Sequence, residues 1–158
     1  MTGEIEFGVA TADELGRIVE LKLAMFDEAG HRDLLASDAA SLVLADYEQL
    51  YPGQQAQHFV ARVDGRIVAM AGAFLKADLP FRYFRSTEYG FIGDVYTVPA
   101  WRGQKIATRL NRAALAWLRA RGVNMVRLLA SKAGRPMYDS LGFSSSDEMV
   151  HFFPSDPV

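Results

Sequence analysis

A run that reads as strand stops at a proline and passes almost at once into a run that reads as helix: Gly93-Asp94-Val95-Tyr96-Thr97-Val98-Pro99-Ala100-Trp101-Arg102-Gly103-Gln104-Lys105-Ile106-Ala107-Thr108. The short link carries Arg102 and Gly103. A strand that ends where a helix begins aims several backbone N–H groups, and the positive end of that helix, at one point in space. A phosphate-bearing ligand fits there. Such a unit needs a sheet to hold the strand and helices to cover the sheet.

The rest of the chain supplies both. Residues 4–10 alternate Ile5, Phe7 and Val9 with other side chains, a strand pattern. Thr11-Ala12-Asp13-Glu14 matches a capping box, so a helix is expected from Ala12, with Leu15, Ile18, Leu21, Leu23, Met25 and Phe26 apolar and Ala29-Gly30 at its end. A second helix is expected over 37–50, before the breaker Tyr51-Pro52-Gly53. Strand-like runs at 57–63 and 66–76 flank Asp64-Gly65, a strong hairpin signal.

Residues 77–88 read as an irregular loop, and strand pattern returns over 89–98. A helix from about 103 to 121 places Ile106, Leu110, Ala113, Ala114 and Trp117 on one side and is closed by Gly122. A buried-type strand at 123–129, a short helix at 135–141 stopped by Gly142, and a last strand at 148–153 complete the order β-α-α-β-β-β-α-β-α-β. This is a single mixed α/β domain over residues 1–158.

Composition excludes several classes. With a net charge of −2 no global field recruits nucleic acid, so an anion site must be local. The chain has no cysteine, which removes disulfides, thiolate metal sites and a cysteine nucleophile and suits a reducing cytoplasm. The first residues lack a signal-peptide pattern, and the longest apolar run, 67–75, is about half of what spans a bilayer. His31, His58 and His151 follow no ligand spacing, so no metal is expected. A cytoplasmic protein with no membrane segment is the expectation.

Val98-Pro99-Ala100-Trp101-Arg102-Gly103-Gln104-Lys105-Ile106-Ala107 resembles the acetyl-CoA loop of the GCN5-related N-acetyltransferases (GNAT), which follows a strand and reads Arg/Gln-x-x-Gly-x-Gly/Ala. Gly134-Arg135-Pro136-Met137-Tyr138-Asp139-Ser140-Leu141-Gly142-Phe143 resembles the second motif of that superfamily, a Tyr on a short helix followed by Leu-Gly-Phe. Order and spacing of the two also match. The resemblance implies a mixed, mostly antiparallel twisted sheet flanked by helices, with acetyl-CoA as co-substrate. One position departs: the middle Gly of the signature is Lys105. A left-handed backbone there would cost Lys on the order of 1 kcal/mol relative to Gly. An ammonium beside pyrophosphate would contribute roughly 1.5–3 kcal/mol.

By position in the motif, the pantetheine arm of the cofactor pairs with Val95, Tyr96 and Thr97 like an added strand. The pyrophosphate falls on the N–H groups of Gly103, Gln104, Lys105, Ile106, Ala107 and Thr108. Arg102, Lys105, Arg109 and Arg112 form a basic stripe, with Arg102 and Lys105 directed to phosphate and Arg109 and Arg112 either so directed or simply solvated. Ser131 either reaches the cofactor or caps a strand.

The transfer itself has a proton problem. An amine with a pKa near 10.4 is neutral in only ~0.04% of molecules at pH 7, a handicap of roughly 4.6 kcal/mol. Asp94 is a candidate base or substrate anchor, or else a hydrogen-bonded carboxylate at a strand bulge. Glu88 is the second candidate base, or a surface charge. Tyr138 matches the general acid that protonates the leaving thiolate, or packs its ring on the short helix. The strand N–H of Tyr96 or a neighbour would hold the oxyanion. Phe81, Tyr83, Phe84, Tyr89 and Phe91 could wall an acceptor pocket or pack in the core. The resemblance puts Asp27, Glu28 and Asp33 where the first helices border the acceptor, either suiting a cationic amine or being ordinary acidic helix ends.

The resemblance therefore implies direct acetyl transfer to a primary amine, with a small-molecule acceptor expected. A protein N-terminal or lysine acetyltransferase, a transferase of longer acyl chains, and a non-catalytic acyl-CoA-binding module are the alternatives. A homodimer is compatible with the chain, but no residue specifies one.

Overall fold

Alternating apolar residues and two turn signals dictate a meander. The computed structural model describes residues 3–78 and 87–154. The chain runs through β1 (Glu6–Val9), α1 (Leu15–Glu28), α2 (Ala39–Leu50), β2 (Ala56–Val63) and β3 (Arg66–Ala77). It continues through β4 (Glu88–Thr97), α3 (Ile106–Ala120), β5 (Val126–Leu128) and α4 (Arg135–Ser140). The strands lie in chain order, β1-β2-β3-β4-β5; all pairs are antiparallel except β4 with β5. β4 and β5 are joined through α3, the crossover that a parallel pair requires, and β1 and β2, though antiparallel, are joined through α1 and α2.

Asp64 and Gly65 both take positive φ (51° and 77°), the conformation of a type I′ turn, and close the β2–β3 hairpin as expected. The capping box forms too: the Thr11 N–H donates to Glu14 Oε1 at 3.0 Å. It opens a 3-10 turn, Ala12–Glu14, before regular α1 begins.

The sheet is covered on both faces. On one, Ile106, Leu110, Ala114 and Leu118 of α3 pack against Phe59, Ala61, Ala69, Ala71, Ala73 and Ile92. The alanines of β3 keep that surface low, so α3 sits close to the sheet. On the other, Leu15, Ile18, Val19 and Leu21 of α1 and Tyr47 of α2 meet Val60, Ile67 and Met70. Burial of both faces explains why β3 reads as a nearly continuous apolar run.

Two expectations at the C-terminal end need correction. The strand expected over 123–129 is reduced to Val126–Leu128, and 148–153 forms no strand among the described residues. A strand exists only where a neighbour takes its N–H and C=O groups, and β5 is the sheet's edge. The start of α3 moves from 103 to Ile106, because two residues before it adopt left-handed backbone. The expected loop aromatics Phe81, Tyr83 and Phe84 lie outside the described residues. Among the described residues no helix is long and apolar enough to cross a membrane, and no His, Cys, Asp and Glu cluster could hold a metal ion.

Candidate active site

The site begins with a fault in β4. Met70 pairs with Tyr96 and Gly72 with Gly93, so Asp94 and Val95 together oppose the single residue Ala71. This is a β-bulge, and Asp94 takes φ +53° to make it. β5 pairs with β4 only over Gly90–Ile92. Beyond that point the two parallel strands part, and β4 presents an edge with no strand partner from Gly93 to Thr97.

That edge forms one wall of a cleft of about 630 Å³. Val95, Tyr96 and Thr97 come from β4; Arg102, Gly103, Lys105, Ile106 and Ala107 from the link and the start of α3. Met25, Glu28 and Ala29 come from the end of α1, and Ser131, Gly134, Met137 and Tyr138 from the segment around α4. The structure thus gathers most of the sequence-identified cofactor residues and Tyr138 around one opening. Gln104 and Thr108 flank the lining residues without being among them.

The link is built to end a strand and start a helix in little space. Pro99 opens a 3-10 turn that buries Trp101. Gly103 takes φ +79°, and Lys105 is left-handed at φ 59°, ψ 23°, just before α3. The signature's Gly position therefore does require the conformation that Gly favours, and Lys105 occupies it at a cost. The Arg109 N–H bonds the Lys105 carbonyl at 3.2 Å as the helix begins. The N–H groups of Ile106, Ala107 and Thr108 have no partner inside the helix, and at the positive end of a helix dipole they suit an anion.

The basic stripe is divided by the fold. Arg102 is tied down: its guanidinium makes two bonds to Glu28, at 2.6 and 2.8 Å, and donates to the Thr97 carbonyl at 2.8 Å. The Tyr96 hydroxyl donates to the same carboxylate at 2.9 Å. The Arg102 and Tyr96 bonds hold the Glu28 carboxyl down to about 2. Arg102 is thus paired with Glu28 in this structure while it also lines the cleft. Arg109 turns away to lie 3.8 Å over the Phe7 ring. Lys105 makes no ion pair or side-chain hydrogen bond among the described residues. The signature's anomalous residue is the cation available at the start of the helix.

Tyr138 is seated by its own motif. Gly134 passes so close that an added Cβ would stand 3.1 Å from the Tyr138 ring. Gly142, at φ +95°, turns the chain back so that the Phe143 N–H reaches the Tyr138 carbonyl at 3.0 Å and its ring meets the tyrosine edge-on. Burial pushes the phenol's pKa up, which keeps it protonated. Its hydroxyl makes no hydrogen bond among the described residues, and the side chain lines the cleft. Ser131 lines the cleft, and its Oγ accepts the Gly134 N–H at 3.1 Å, which caps the turn before α4 rather than a strand.

Neither candidate base stands in the cleft. Asp94 is 5% exposed and faces the layer under α1 and α2. Its Oδ1 accepts from Lys22 Nζ at 2.5 Å, and its Oδ2 from the Tyr47 hydroxyl and, at 2.8 Å, from His58 Nε2. A carboxylate can only accept, so His58 donates from Nε2, and its Nδ1 meets the Tyr51 hydroxyl at 2.6 Å. Burial raises the Asp94 pKa, but the bond to His58 and the ion pair with Lys22 outweigh it and hold the group well below the usual carboxylate range. Asp94 is the hydrogen-bonded carboxylate of a bulge, with no lone pair facing an acceptor. Glu88 opens β4 opposite Ala77, six residues before the bulge and so about 20 Å away along the strand. It is not among the cleft residues.

The network around Asp94 was not anticipated from sequence, although it left a trace. Lys22 interrupts the apolar face of α1, four residues after Ile18, and His58 interrupts the buried face of β2, two before Val60. Polar residues on otherwise apolar faces point to partners, but they do not say which.

Comparison with known proteins agrees with this geometry. A family model described as "Acetyltransferase (GNAT) family" matches residues 23–143. An aminoglycoside N(6')-acetyltransferase type 1 from Acinetobacter haemolyticus is 30% identical over 129 residues, covering 77% of this chain and 85% of that one. A predicted acetyltransferase from Clostridium acetobutylicum, solved with acetyl-CoA, superposes at TM-score 0.87 with 21% identity, covering 95% and 96% of the two chains. A GCN5-related N-acetyltransferase from Ralstonia eutropha JMP134 does so at 0.85 with 25% identity, covering 95% and 99%.

Proposed function

As this chain belongs to the GNAT family and is an N-acetyltransferase that uses acetyl-CoA, we propose that it acetylates a primary amine of a small molecule by direct attack on the thioester. The observation that carries the reading is the convergence, in one cleft, of the unpaired edge of β4, the unpartnered N–H groups of α3 and the Tyr138 side chain. A small-molecule acceptor is supported by the curated relative, whose name makes it an aminoglycoside acetyltransferase.

Lys105 and the N–H groups from Gly103 to Thr108 hold the pyrophosphate, and Val95, Tyr96 and Thr97 pair with the pantetheine arm. The neutral amine attacks the carbonyl carbon, forming the C–N bond, and the Tyr96 N–H receives the oxyanion. As the C–S bond breaks, the Tyr138 hydroxyl gives its proton to the sulfur, free CoA thiol leaves, and the second proton, shed by the acylated nitrogen, passes through water to restore the Tyr138 phenol. Glu28 is the one carboxylate lining the cleft among the described residues, and it is already paired. The ammonium proton is therefore lost to water in the open cleft, with Asp94 acting as a positioning residue that fixes the bulge.

Tyr138→Phe should lower acetyl transfer by roughly 10²–10⁴-fold while CoA affinity stays within about twofold of wild type. Thiol release over an amine panel and calorimetry with CoA measure the two. Equal turnover by the variant removes Tyr138 from the mechanism.

Cytoplasmic work is proposed from the lack of cysteine. A homodimer is proposed on two observations: Leu129, just after β5, and Met149, Val150, Phe152 and Phe153 of the C-terminal segment are all at least 67% exposed, and β5 is the edge of the sheet.

A further inference from the structure

Arg102 and Glu28 both line the cofactor cleft, and their side chains join two of its walls. Arg102 stands in the link before α3, and Glu28 is the last residue of α1. The guanidinium fork is filled. Nη1 and Nη2 donate to the two oxygens of Glu28 at 2.6 and 2.8 Å, and Nε donates to the Thr97 carbonyl at 2.8 Å.

Each of those partners is one that a bound cofactor would contest. Thr97 belongs to the stretch of β4 beyond its pairing with β5, so Arg102 takes a carbonyl on the edge where the pantetheine arm is expected. Glu28 lies at the negative end of the α1 dipole, a poor place for a carboxylate, and is held there by Arg102 and by the Tyr96 hydroxyl at 2.9 Å. A phosphate presents the guanidinium with the same pair of oxygens as a carboxylate and accepts the same two parallel bonds. Gly103, the next residue, opens the run of N–H groups read as the phosphate site. No atom lies within 4 Å of where a Cβ on Gly103 would stand, so there is room beside the link for the side chain to swing.

We propose that Arg102 is a latch across the cleft, closed on Glu28 and the Thr97 carbonyl in this structure and opened by acetyl-CoA, whose pyrophosphate takes the place of the Glu28 carboxylate. The inference rests on the acetyl-CoA reading of the cleft and adds a control on cofactor entry. Only a side chain has to turn, because Arg102 and the phosphate site are neighbours in the link. Both partners are 44% exposed, so the released Glu28 passes to water at small cost. Part of the cofactor's binding energy goes into opening the latch, and the same cleft with the latch cut binds the cofactor more tightly.

Calorimetry with CoA and with 3'-phospho-ADP, which keeps the pyrophosphate and lacks the pantetheine arm, tests this on wild type, Glu28→Gln, Arg102→Gln and the double variant. Glu28→Gln keeps the size of a half-exposed side chain, and thermal unfolding of all four proteins checks that each is folded. Glu28→Gln should bind both ligands about two- to fivefold more tightly, the worth of a half-exposed ion pair that no longer has to be broken. Arg102→Gln should bind both more weakly, and adding Glu28→Gln to it should change nothing further. A general gain from removing a negative charge near the phosphates would instead appear equally with and without Arg102. That outcome overturns the latch, as does CoA affinity that is unchanged or weaker in Glu28→Gln, the behaviour of a merely structural pair. Wild-type protein that binds neither ligand refutes the cofactor reading itself.

Discussion

Lys105 concentrates two opposed effects in one residue. Its left-handed backbone is a position Gly would take without strain, and its ammonium is the cation free to meet pyrophosphate. Lys105→Gly should therefore stabilise the fold by roughly 0.5–1 kcal/mol, after the extra freedom of Gly in the unfolded chain is counted. The same change should weaken CoA binding about tenfold or more through loss of a charge-assisted contact. Thermal unfolding and calorimetry on the one variant read both effects, and unchanged affinity would show that Lys105 does not reach the phosphates. Asp94→Asn is the second test at this scale. Removing one member of a buried ion pair should cost about 3 kcal/mol or more, seen as a lower denaturation midpoint. In wild type and variant alike kcat/KM should rise with pH as the acceptor amine loses its proton; loss of that rise in the variant would restore Asp94 as the base.

Elements are clamped to one another by carboxylate–arginine pairs at the two ends of α1. At its start Glu14 accepts from Arg62 of β2, whose NH2 group also donates to the Val9 carbonyl at 2.7 Å. At its end Glu28 joins α1 to β4 and the cofactor link through Tyr96 and Arg102. Arg62 holds the Glu14 carboxyl down to about 2, and Arg102 does the same for Glu28, against a usual 4.5. Both folded-state values are lowered, so the stabilisation is complete above pH 4.5 and fades as pH falls toward 2. Denaturant midpoints should drop across that window, and Glu14→Gln with Glu28→Gln should flatten the drop; an equally steep fall in the double variant would remove these pairs as its cause. The elements themselves were largely legible, because the hairpin dipeptide, the capping box and the terminal glycines act through neighbouring residues. The strand expected over 148–153 was not, since its sequence has strand character but its pairing depends on a neighbour that local pattern cannot supply.

At the scale of the whole molecule, one end of the sheet stays unfinished. Leu129 and four large apolar side chains of the C-terminal segment remain exposed, and β5 is the edge of the sheet, features that favour association. Sedimentation should find a dimer at micromolar concentration, and Phe152→Ser with Phe153→Ser should shift it to monomer; a wild type that is monomeric throughout would refute the dimer. By itself the sequence determined the order of the elements through α4, the strand-link-helix unit at 93–108 and the seat of Tyr138, because each depends on residues close together in the chain. Only the tertiary structure decided which charges are free and which are spent. Arg102 meets Glu28 across 74 positions, and Asp94 meets Lys22 across 72 and His58 across 36. Such pairs form when the packing of α1 and α2 on the sheet brings distant side chains together, and one-dimensional spacing carries no record of that contact.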